Sequence, residues 1–178
     1  MPIYTIGHST RTIEEFLALL VAHGVGSVVD VRTVPRSRMN PQFNRESLPG
    51  ALDAAGIGYR HEKELGGLRH ARKDSSNTGW RNASFRGFAD YMQSAEFSAA
   101  LQRLIEQGSS ETLAVMCAEA VPWRCHRSLI ADALLARGIV AQHIMSAKRR
   151  DPHSLTPFAV VNGLTVTYPG GADSLPGA

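Results

Sequence analysis

At 178 residues the chain is long enough to bury one core without staples and fits a single domain. Hydrophobic residues make up 43% and charged residues 20%, an ordinary globular balance, and no apolar run approaches the roughly 18 residues of a membrane span. The formal charge of +3 and pI near 9.1 are mildly basic, compatible with a plain solvated surface or with an anionic partner.

The first residues, Met1 to Ile6, show no basic region followed by a long apolar stretch and read as a strand rather than a secretory signal. A cytoplasmic protein is expected. Helical spacing of Ile13, Phe16, Leu17 and Leu20 follows, opened by Thr12 and Glu15 as a capping box and stopped at Gly24. Ser27 to Val31 gives a second, buried strand, then a polar loop from Arg32 to Phe43 and a helix from about Arg45 to Ala55. Ile57 to Arg60 is a weaker third strand. The stretch from Leu65 to Trp80 holds Gly66-Gly67 without any period, which is long for an inert connection and reads as a site cover.

Phe85, Phe88, Ala89 and Met92 mark a short helix, and Phe97, Leu101, Leu104 and Ile105 the next, with Ser94 before it and Gly108 as its stop. Thr112 to Met116 is the fourth strand, Leu129, Ile130, Ala133 and Leu134 form a helix stripe ending at Gly138, and Ile139 to Ile144 is the fifth strand. Strands alternating with helices predict a three-layer α/β fold, a mainly parallel sheet of five strands with helices on its faces. Ala159 to Val161 and Leu164 to Tyr168 flank Asn162-Gly163, a strong hairpin signal. One domain over residues 1–169 and a disordered tail over 170–178 complete the expectation.

The fourth strand runs straight into Cys117-Ala-Glu119 and then Pro122-Trp-Arg124-Cys125-His126-Arg127. Strand-to-helix turns of such a sheet lie at its carboxyl edge, where open sheets bind ligands and helix N–H groups face them. Cys125, His126 and Arg127 fall in the expected first helical turn, where the dipole and neighbouring cations make Cys125 an anionic nucleophile or a metal ligand. Cys117, at a strand end, either packs or reacts. In a reducing compartment the two cysteines read as thiols, metal ligands or a redox pair, although their spacing fits no common structural zinc motif.

The other strand ends are polar too. His8 and Ser9 follow the first strand and Asp30 and Arg32 close the second, so these residues can meet Glu119 and the cysteine turn at one edge. His8 is a candidate acid or base, with Glu119 or Asp30 to orient it; a capping or backbone-bonding role for His8 and a structural Asp30–Arg32 pair are the plainer alternatives. Arg32 and Arg36 fall in one loop and Arg124 and Arg127 at the cysteine turn, placements that suit an anion.

Thr5-Ile-Gly-His-Ser9, Asp30-Val-Arg32 with Pro35-Arg-Ser37, Leu65-Gly-Gly67, Cys117-Ala-Glu119 with Pro122 and Cys125-His-Arg127, and Tyr168-Pro169 together resemble the domain-of-unknown-function 488 family. The resemblance implies bacterial and archaeal relatives and an α/β fold, and it transfers no catalytic assignment.

The resulting expectation is an enzyme for an anionic, nucleotide-like or nucleic-acid substrate. His8, Glu119, Cys125 and His126 take the catalytic roles, and Ser9, Asp30, Arg32, Arg36, Arg124 and Arg127 bind substrate. The alternatives are a non-catalytic nucleotide or nucleic-acid binding module, and a metal-dependent enzyme using Cys117, Cys125 and His126. No cofactor is specified, and the hairpin from Ala159 to Tyr168 offers an edge that a homodimer can pair.

Overall fold

The computed structural model describes residues 1–171. Five parallel strands form the sheet: β1 (Ile3–Gly7), β2 (Ser27–Asp30), β3 (Gly58–His61), β4 (Leu113–Cys117) and β5 (Gln142–Ile144). A sixth strand, β6 (Arg150–Pro152), pairs antiparallel with β5 and gives the order β3-β2-β4-β1-β5-β6. The sequence offered no sign of β6, because Arg150-Asp151-Pro152 has neither apolar alternation nor β-branched residues; an edge position tolerates its proline.

Helices α1 (Ile13–Ala22) and α2 (Leu48–Ala54) cover one face, and α3 (Ala83–Tyr91), α4 (Ala95–Ser110) and α5 (Arg127–Leu135) the other. Strand alternation divides the core accordingly: Leu113, Val115 and Cys117 of β4 join the cluster with α4 and α5, whereas Ala114 and Met116 join that with α1 and α2. Thr12 caps α1 by accepting from the Glu15 N–H at 3.1 Å, and Gly24 takes the left-handed φ of 65° that ends it. Gly108 does not stop α4. It lies inside the helix, where the missing side chain lets Ile3 pack onto the backbone.

Strands β7 (Val160–Asn162) and β8 (Thr165–Thr167) form the expected C-terminal hairpin. Asn162 pairs with Thr165, so the turn is Gly163-Leu164, one residue later than the Asn-Gly signal suggested, with Gly163 at φ 62°. Of the expected tail, Gly170 donates its N–H to Thr78 Oγ1 at 3.0 Å. Residues 172–178 lie outside the described part of the chain.

Sheet topology decides where a ligand fits. The connection leaving β2 goes to α2 on one face and that leaving β4 goes to α5 on the other. Because β2 and β4 are neighbours, their loops part at the carboxyl edge and leave a crevice between them.

Candidate functional site

The crevice is a pocket of about 340 Å³ lined by the loop after β2 (Arg32, Thr33, Val34, Arg36) and the turn after β4 from Cys117 to His126. Gly67, Leu68, Ser84 and Phe85 form its outer lip. The loop read as a site cover therefore lends two residues to the pocket. Its remainder is tied down by Asn77, which donates to Asp90 at 2.7 Å and accepts from the Tyr168 N–H at 2.9 Å.

Beneath the β2 loop lies a buried ionic foundation. Arg32 grips Asp30 with Nε at 2.9 Å from one oxygen and an Nη at 2.7 Å from the other, and also reaches the Phe43 carbonyl at 2.7 Å. The Tyr59 hydroxyl donates to Asp30 at 2.7 Å. His8 stacks on the Phe43 ring at 4.3 Å and donates from Nδ1 to the Ser9 carbonyl at 2.8 Å, leaving Nε2 to face Arg32 at 3.4 Å. Burial, helped by the Arg32 charge, lowers the His8 pKa to about 4 despite the Ser9 bond, so at neutral pH the ring is uncharged. His8 and Asp30 thus sit below the pocket, with Arg32 between them and the opening. Ser9 lies to the side, in the left-handed region at φ 51°, its N–H on the Ala118 carbonyl at 2.9 Å.

On the β4 side, Gly7 packs so tightly under the turn that a Cβ would fall inside the Glu119 carbonyl group. The turn itself is organised by Arg127, which is 1% exposed. One guanidinium nitrogen donates to Cys117 Sγ at 2.7 Å and to the Glu119 carbonyl, and the other to the Ala120 carbonyl at 2.9 Å. Burial alone would raise the Cys117 pKa; the neighbouring Cys125 thiol and the Arg127 charge outweigh it and bring the value down to about 7. Cys125 moves the opposite way, well above its ordinary value, because it serves as donor to Cys117 and is itself buried.

Thiolate character therefore falls on Cys117, not on the cysteine that the helix-dipole argument favoured. The reason is local geometry. Pro122–Arg124 forms a short 3₁₀ turn, Cys125 is extended at φ −131°, and α5 begins only at Arg127. Cys125 thus precedes the helix instead of occupying its first turn.

His126 completes the floor. Its Nε2 lies 3.1 Å from the Val31 carbonyl and 3.0 Å from that of Leu65, so Nε2 carries the proton and Nδ1 turns its lone pair to Cys125 Sγ at 3.6 Å. Burial lowers its pKa to about 4, and the ring is neutral. Gly67 lies flat against it: an added Cβ would come within 2.6 Å of Nδ1. Gly67→Ala should therefore displace the imidazole or the loop, costing about 1 to 3 kcal/mol, and circular-dichroism melting should show Tm lowered by about 5 °C.

The polar rim is arginine-rich. Arg32, Arg36 and Arg124 line the pocket against one carboxylate, Glu119, whose Oε1 accepts from the Val121 N–H at 3.3 Å. Arg36 is 70% exposed and reaches Glu46 only at 3.7 Å, too long and too wet to bind it firmly. Arg124 is exposed as well. Arg127 points inward to the thiol and the turn carbonyls. Among the described residues no three His, Cys, Asp or Glu side chains are grouped to hold a metal ion, and the Nε2 of His126 is already committed to carbonyls.

A family model described as Domain of unknown function DUF488 matches residues 12–134, which run from the start of α1 into the last turn of α5 and contain every residue that lines the pocket. The chain belongs to the DUF488 family. No curated protein and no solved structure matches it.

A second polar cluster, reaching past the part matched by the DUF488 model, went unread in the sequence. Asp132, fully buried on α5, accepts from His153 Nε2 at 2.7 Å, from the Thr156 N–H at 3.0 Å and from the Thr156 and Tyr168 hydroxyls at 2.7 Å each. His153 Nδ1 lies 3.0 Å from His143 Nε2, and His143 Nδ1 lies 2.6 Å from Thr5 Oγ1. A signal was present. An aspartate beside the apolar stripe of Leu129, Ile130, Ala133 and Leu134 demands buried donors.

Proposed function

We propose that this DUF488 protein is an enzyme for an anionic, nucleotide-like or nucleic-acid substrate, with Cys117 as its nucleophile. The carrying observation is the Arg127–Cys117 contact on the floor of a pocket rimmed by Arg32, Arg36 and Arg124. A thiolate needs a fixed cation to exist near neutral pH, and Arg127 supplies it without occupying the opening. Cys125 keeps its proton as donor to the nucleophile, and the uncharged His126 ring packs beside that thiol with Nδ1 at 3.6 Å from its sulfur. Arg36 and Arg124 are placed to neutralise substrate charge.

The test is the charge preference of alkylation. At neutral pH, negatively charged iodoacetate should label Cys117 faster than neutral iodoacetamide, the reverse of a thiol in free solution. Arg124→Ala should slow iodoacetate by roughly tenfold and leave iodoacetamide unchanged. Faster labelling by iodoacetamide, or indifference to Arg124, would remove the anion from the proposal.

Burial of both thiols, 3% exposed at Cys117 and 6% at Cys125, favours the rival reading of a module that binds nucleotide or nucleic acid without chemistry. That reading expects neither cysteine to label in folded protein under conditions where the denatured chain labels both. Action in the cytoplasm, and pairing of two copies through the β7–β8 hairpin with its half-exposed Val160 and Val161, belong to the same proposal.

A further inference from the structure

A second pocket of about 490 Å³ opens on the other side of the 3₁₀ turn after β4. Its walls are Trp80, Trp123 and Phe158, its floor includes His143 and His153, and among the described residues no Lys or Arg lines it. Each imidazole nitrogen on the floor is already engaged, by Thr5, by the other histidine or by Asp132. What the histidines offer a ligand is ring faces. The one Asp or Glu among the described lining residues is Asp151, whose carboxylate is paired at 2.8 Å with exposed Arg149. With aromatic walls and no cation in its described lining to hold a phosphate, this pocket suits a flat, uncharged ring.

The two pockets are lined by neighbouring residues of one turn. Trp123 lines the second and Arg124, its neighbour on the same turn, lines the first. The same alternation recurs in the other wall, where Trp80 faces the second pocket and Phe85 the first, their rings edge to face at 5.0 Å. Both openings lie at the carboxyl edge, since Met145 beyond β5 and Ser128 at the start of α5 belong to the second lining. Anion-binding groups therefore stand on one side of this turn and ring-binding surfaces on the other. Nucleoside phosphates carry both halves of that complement in a single molecule.

We propose that a nucleoside phosphate straddles this turn, with its phosphate at Arg36 and Arg124 and its base against Trp123 and Trp80 in the second pocket. This assignment rests on the anionic-substrate reading of the first pocket and adds the identity of the uncharged half. Trp123, 68% exposed without a ligand, is the stacking residue that a base would cover, and stacking is sequence-tolerant because every base has a π-face.

Calorimetric titration with AMP, GMP, CMP and UMP, with inorganic phosphate and with adenosine tests it on the intact protein. At least one nucleotide should bind about tenfold or more tightly than phosphate. Trp123→Ala should erase that margin and leave phosphate affinity as it was, whereas Arg124→Ala should weaken phosphate and nucleotide alike. Both side chains are exposed, and unchanged melting of the variants checks that they fold. If phosphate binds but no nucleotide exceeds it, or if the margin survives in Trp123→Ala, the second pocket is not a base site while the anion pocket stands. If neither phosphate nor any nucleotide binds, both readings fall. Adenosine binding without any phosphate affinity overturns the straddling mode.

Discussion

Replacing Arg127 with methionine should lower stability by about 3 to 5 kcal/mol and Tm by about 10 °C, the largest effect of any single substitution at the site. The side chain is fully enclosed and serves three acceptors, Cys117 Sγ and the carbonyls of Glu119 and Ala120. Methionine fills much of the volume and satisfies none of them, so two carbonyls are left dry and unpaired and the sulfur keeps only its Cys125 neighbour. Denaturant unfolding of the wild type, the variant and the Cys117→Ala/Arg127→Met double mutant separates the terms. Removing the sulfur as well should restore part of the loss, giving non-additive energies for a contacting pair.

The same pair makes stability depend on pH. A thiol whose folded pKa is lowered from 9.0 to about 7 contributes stability that is full above the unfolded value and is lost as pH falls through the folded one. Wild-type protein should therefore gain stability from pH 7 to 9 relative to Arg127→Met, in which that gain is absent.

Asp132→Ala should be the second large loss, about 3 kcal/mol, because it strips four hydrogen bonds from a fully buried acceptor. Its effect should also be regional. Asp132 is the point to which His153, Thr156 and Tyr168 are tied, so the chain from β6 to β8 loses its anchor while β1, β2 and the helices α1 and α2 keep theirs. Hydrogen exchange should accelerate across residues 153–168 and stay near wild type in α1. Uniform acceleration would mean that the cluster supports the whole core rather than the C-terminal segment.

Much of the architecture was readable from pattern alone. Apolar spacing with a cap, as at Thr12 and Glu15, and short buried runs such as Ser27 to Val31 are local signals, and local signals place strands and helices. They also put the polar strand ends at the carboxyl edge, but not the crevice itself, because the order that sets β2 beside β4 with loops to opposite faces carries no local mark. What stayed hidden depended on contacts between distant segments. Which cysteine becomes anionic is set by where the Arg127 guanidinium lands, and an arginine that turns inward to a sulfur and two carbonyls carries no mark in sequence. His8 and Asp30 were read either as ligand-facing groups or as a backbone-bonding histidine and a structural partner of Arg32; the structure bonds His8 to the Ser9 carbonyl against Phe43 and locks Asp30 to Arg32 and Tyr59. His143 and His153 had no context until Asp132, on a different element, supplied it.

A nucleophilic Cys117 requires that its sulfur be ionised near neutrality and that of Cys125 not. The pH dependence of iodoacetamide labelling, read residue by residue by peptide mass spectrometry, measures this directly. Labelling of Cys117 should rise through a midpoint of about 7, with Cys125 silent across the same range. A midpoint at 9 or above for Cys117, or earlier labelling of Cys125, would contradict the assignment of the nucleophile.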